Sequence, residues 1–185
     1  MAKFRWLWAI LLVVACAILL LFHGHRPSRS GSLAQIALSH RGDTRYEAAN
    51  WNGWYRPGSN KCNQAVADWV TASGRPRPRV PGHFGIIPRD PSAHEWADPH
   101  VRIPGWTQPL PRAAALPGDV IAQQHGPVYG HVGVVVAAGR TVSAYGDTAP
   151  QGLVLENDWG FRTAPGANGE SSADPPPVVR RPLEM

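Results

Sequence analysis

Apolar residues recur through SNKCNQAVADWV at Cys62, Ala65, Val66, Trp69 and Val70, the i, i+3, i+4, i+7, i+8 spacing of a helix with one buried face. Ser59 or Asn60 stands where an N-cap is needed, and Gly74 stands where the helix must end. A shorter apolar group from Leu33 to Leu38 predicts a second helix upstream. Further along, the period changes. Asp119 to Gln123, His131 to Ala137, Arg140 to Tyr145 and Leu153 to Asp158 are short strand-like runs separated by Gly and Pro. They predict a meandering antiparallel sheet. Between 75 and 118, prolines, tryptophans and arginines follow no sustained period, which reads as a surface excursion packed by Trp96 and Trp106. Long irregular loops of this kind are usually functional. No internal repeat interrupts the pattern.

The longest apolar run lies outside this unit. Trp6 to Phe22 contains no charge and follows Lys3 and Arg5, which suits a long signal-peptide core or a short transmembrane anchor. No A-x-A cleavage site follows Phe22, so the expectation is an anchor in residues 1–22, inserted in the inner membrane with the domain facing the periplasm or exterior. Secretion after cleavage is the alternative. Residues 23–31 are polar and form a linker. The folded unit is expected over residues 32–162, and residues 163–185, rich in proline, are expected to be a disordered tail.

Candidate chemistry centres on Cys62. Of the two cysteines, Cys16 lies in the apolar run, so the rest of the chain cannot form an internal disulfide. A thiol outside the reducing cytosol needs a reason, either reactivity or deep burial. Cys62 falls in the first turn of its helix, at the positive end of the dipole, where a thiol pKa is lowered. A distant imidazole, His131 at the start of a strand, completes a candidate nucleophile and base. The simpler reading keeps Cys62 as a small core hydrophobe.

NKCNQAVADWV, LPGDVIA and GHVGVVVAAGRTVSA together resemble the cysteine helix, the "GD" strand and the histidine strand of the NlpC and CHAP superfamily of papain-like cell-wall peptidases and amidases. The resemblance implies an α+β fold with the cysteine helix packed on a small antiparallel sheet, and amide bonds of peptidoglycan peptides as substrate. It carries Cys62 over as nucleophile and His131 as general base. Ser143, 12 positions after His131, falls where the superfamily has its orienting residue. Asn157 and Asp158 are rivals in the papain-like order Cys, His, Asn/Asp, and also suit a plain strand end. Tyr55 resembles an upstream tyrosine that assists the oxyanion, a task expected mainly of the Cys62 backbone N–H. YRPGSNKCN replaces the common DCSG form, which leaves the cleaved bond open.

Two further readings come from different classes. His94, Asp98 and His100 in HEWADPH offer ligand types for a zinc hydrolase. A catalytically silent wall-binding module would instead use the eight tryptophans to stack on sugar rings, and a net charge of +5 to meet an anionic envelope. No nucleic-acid motif accompanies the charge. The cysteine mechanism calls for no cofactor. Besides the peptidoglycan peptide and the membrane, a protein regulator is conceivable without any residue that identifies it.

Overall fold

The computed structural model describes residues 32–53, 55–82, 85–145, 152–158 and 175–184. The apolar run, the linker and residues 163–174 of the expected tail lie outside these. Among the described residues the chain is α+β: three short α-helices and a six-stranded antiparallel sheet. None of these helices is long and apolar enough to cross a membrane.

Helix α1, Leu33–Ser39, starts at a reciprocal capping box between Ser32 and Gln35. Helix α2, Cys62–Ala72, buries Cys62, Ala65, Val66, Trp69 and Val70 as their spacing requires, and also Gln64 and Ala67. The N-cap position falls to Lys61, which makes no side-chain cap, while the Asn60 side-chain Oδ1 accepts from the Cys62 N–H at 3.0 Å. Gly74, at φ 84°, follows the last turn in the left-handed region that glycine tolerates. Helix α3, Ala93–Ala97, forms inside the supposed surface excursion. Its capping box joins Ser92 to Glu95, whose carboxylate also takes both prongs of Arg89 at 2.7 Å.

The strands are β1 Leu110–Pro111, β2 Val120–His125, β3 Tyr129–Ala137, β4 Arg140–Ala144, β5 Val154–Asp158 and β6 Val178–Arg180, with a 3-10 turn at Arg112–Ala114. They lie in the order β1-β6-β2-β3-β4-β5. Alternation divides the sheet. Val120, Ala122, Val132, Val134, Val142, Ala144 and Val154 share one buried cluster with Ala37, Cys62, Val66, Trp69 and Trp96. Ile121, Val135 and Val179 form a second, smaller cluster. Each fully buried valine or isoleucine contributes about 1.5–3 kcal/mol of transfer free energy.

The expected tail needs correction. Residues 178–180 form β6, inserted between β1 and β2, with Val179 opposite both Leu110 and Ile121. Arg180 is 1% exposed, and its guanidinium donates to four carbonyl oxygens: Trp96 at 2.8 Å, Thr107 at 3.1 Å, Asp98 at 2.6 Å and Val101 at 2.8 Å. Arg181 pairs both oxygens of buried Asp119, at 3.0 and 2.9 Å. The surrounding prolines hide this strand from composition, while arginines with backbone partners can be buried. Trp96 and Trp106 pack edge to face at 4.9 Å, as expected of the excursion, but they and Trp69 are core residues. Of the four tryptophans described, Trp51 alone is exposed, at 67%.

Candidate active site

Cys62 and His131 begin on elements that pack together, α2 and β3. Cys62 is a buried thiol in the first turn of α2. His131 is 4% exposed, directly opposite Gln123 on β2. Its neighbours Val132 and Val134 belong to the cluster that holds Cys62, so its own side chain leaves the strand on the alternate face.

On that alternate face, the His131 Nε2 lies 3.0 Å from the Ser143 Oγ. Register explains the contact. Val134 pairs with Val142, which sets Gly133 beside Ser143 and His131 diagonal to it. Gly133 is required here, since a Cβ would come within 2.7 Å of the Val142 carbonyl oxygen and 2.9 Å of the Ser143 Cβ. Tyr145 meets the His131 ring edge to face at 6.1 Å. Ser143 is 1% exposed, a setting in which a hydrogen bond is strong and the ring is held in one orientation.

The rivals for the orienting role are elsewhere. Asn157 pairs with Thr141, which pairs in turn with Val135, and Asp158 pairs with Arg140. At roughly 3.3 Å per residue, Asn157 lies about 13 Å along the strands from the level of His131, and Asp158, level with Ala137, lies farther still. The β4–β5 register, which the sequence leaves open, is what separates them.

The two expected oxyanion donors are both engaged. The Cys62 N–H donates to Asn60, as described above. The Tyr55 hydroxyl donates to Asp90 at 3.3 Å and accepts from the Asn63 side-chain amide at 3.0 Å. Burial and then the adjacent Asp90 carboxylate push the Tyr55 phenol up to about 12, so it keeps its proton at neutral pH. Arg77 grips both oxygens of Asp90, at 2.8 and 2.6 Å, and reaches Asp68 on α2 at 2.6 Å. Its hydrogen bonds to Asp90 hold the guanidinium above the usual arginine range.

Lys61 was not anticipated. It is fully buried, and its ammonium donates to the carbonyl oxygens of Glu47 at 2.9 Å, Ser59 at 3.3 Å and Ala48 at 3.4 Å. Burial holds it below the ordinary lysine value. It fastens the 47–59 loop to the start of α2. A lysine beside Asn60 and Cys62 carries no pattern that distinguishes it from a solvated one.

The zinc set does not assemble. Asp98 uses its carboxylate to accept from the His100 N–H at 2.8 Å, and the His94 Nε2 lies 3.4 Å from the Gln124 amide nitrogen. Among the described residues no three His, Cys, Asp or Glu side chains converge on a metal position. Comparison with protein-family models, curated proteins and solved structures gives no match.

Proposed function

We propose that the chain is a cysteine hydrolase with a papain-like, NlpC/CHAP-type fold that cleaves amide bonds in peptidoglycan peptides. The observation that carries the reading is the 3.0 Å contact between His131 and Ser143, 12 positions apart, on a sheet packed against a helix whose first turn holds Cys62. The Cys62 thiolate attacks the carbonyl carbon, and the His131 imidazolium passes its proton to the leaving amine. Water, deprotonated by His131, then releases the acyl group. In the imidazolium, where both ring nitrogens carry hydrogens, Ser143 accepts from the Nε2–H and leaves Nδ1 to exchange a proton with the thiol. Serine, which can donate or accept, orients the ring without neutralising the imidazolium as a carboxylate would. The substrate is met outside the membrane, with the chain held by residues 6–22 or released after their cleavage.

Digestion of purified peptidoglycan, with products identified by mass, tests the proposal. Wild type should release peptide fragments, and Cys62→Ala should release none while keeping the wild-type circular dichroism. Iodoacetamide should label Cys62 faster than a simple thiol at neutral pH. Equal hydrolysis by wild type and Cys62→Ala would end the cysteine reading.

A further inference from the structure

The hydrogen-bond chain running from Asp90 through Tyr55 to Asn63 has one orientation. Asp90 receives Arg77 on both oxygens and Arg79 at 3.1 Å, so both its oxygens act as acceptors. The single hydroxyl hydrogen of Tyr55 therefore goes to Asp90. Tyr55 can then only accept from Asn63, which sets the Asn63 side-chain nitrogen, and not its oxygen, toward the phenol. An amide nitrogen carries two hydrogens, and Tyr55 takes one. The second remains on a half-buried side chain immediately after the nucleophile, in the first turn of α2.

Resting on the hydrolase reading above, we infer that Asn63 supplies the side-chain donor to the carbonyl oxygen of the scissile amide, with Tyr55 and Asp90 as positioning residues that aim it. The donors first expected there are otherwise engaged, the Cys62 N–H with Asn60 and the Tyr55 hydroxyl with Asp90. Charge develops on the carbonyl oxygen as the thiolate adds, and a donor fixed beforehand stabilises that charge without reorganising. Arg77 ties the same assembly to α2 through Asp68, so that helix, thiol and amide are held as one unit.

The test uses the full-length chain, purified peptidoglycan and two readouts: steady-state hydrolysis and the rate of Cys62 alkylation by iodoacetamide. Asn63→Ala and the nearly isosteric Asn63→Asp should each lower kcat about 100- to 1,000-fold, the loss typical of an oxyanion donor, with KM little changed. Alkylation, which forms no oxyanion, should proceed at the wild-type rate. Tyr55→Phe and Asp90→Asn should lower kcat by a smaller factor and also leave alkylation unchanged. A kcat within about threefold of wild type in both Asn63 variants overturns the inference and leaves the hydrolase reading standing. Alkylation slowed in proportion to kcat also overturns it, because Asn63 would then act on the thiol. An inactive wild type overturns the hydrolase reading and this inference together.

Discussion

Replacing Arg180 by methionine removes a buried cation from β6, the strand next to the sheet edge, and strips four carbonyl oxygens of their donor. Each stranded acceptor costs about 1–3 kcal/mol if water cannot reach it, which sets an upper bound of roughly 4–12 kcal/mol. The guanidinium's own desolvation, which burial expresses by lowering its pKa, is recovered at the same time. That recovery offsets part of the loss, since no buried charge is left unpaired, and a net destabilisation of about 3–5 kcal/mol is expected. At about 2–4 °C per kcal/mol for a chain of this size, Arg180→Met should unfold some 6–20 °C below wild type in a reversible thermal scan. Arg180→Lys should fall between the two, since its ammonium keeps the charge but offers three donors without the planar fork. An Arg180→Met midpoint indistinguishable from that of wild type would refute the reasoning, and β6 would then be held by its valines alone.

Ser143→Ala should lower kcat about 10- to 100-fold with KM little changed, less than the roughly 10,000-fold typical of a lost triad carboxylate, because serine orients the ring without offsetting its charge. Asp158→Asn should leave kcat near wild type, and a larger loss there than in Ser143→Ala would show that the register argument is wrong. Gly133→Ala, whose Cβ would sit 2.7 Å from the Val142 carbonyl oxygen, should cost about 1–3 kcal/mol in urea unfolding, and an unaffected midpoint would mean that the strands separate freely. Tyr55 has its folded-state pKa raised from the ordinary 10.0 to about 12, so its contribution to stability is full below pH 10 and is lost as pH rises through about 12. Tyr55→Phe should flatten the fall in stability across that window, and identical slopes for the two proteins would exclude the buried phenol as its source.

The sequence exposed those features that depend on local period. The spacing from Cys62 to Val70 predicts α2 with its buried face, and the runs after Asp119 predict four of the six strands to within a residue or two. The interval from His131 to Ser143 is suggested by the resemblance alone; the turn does not predict it, because a bulge between Val135 and Ala137 shifts the β3–β4 register by one residue and so brings Ser143 to the face of His131. What stayed hidden depends on distant partners. β6 is a short segment among prolines, recognisable only beside β1 and β2, and α3 is five residues whose capping box looks like loop polarity. Lys61, Arg77 and Asp90 read as surface charges until the carbonyls and carboxylates that receive them are in place. Asn157 and Asp158 fit a papain-like order in one dimension and are separated from His131 only by β5 pairing.

The position of β6 has a consequence for how the protein is made. β1 and β2 flank a gap that a strand synthesised much later must fill, and Arg180 must arrive with that strand to collect the carbonyls of Trp96, Asp98, Val101 and Thr107. A nascent chain emerging from a ribosome or a translocation channel can form α2 and the β2–β3–β4 meander early, since those contacts are local. It cannot close the sheet or fix the 96–107 segment until residues 178–180 have emerged. A chain that stops before them exposes the facing edges of β1 and β2, which are templates for pairing with other chains, so premature termination in the last few residues should yield aggregation or proteolysis rather than a folded but less stable protein.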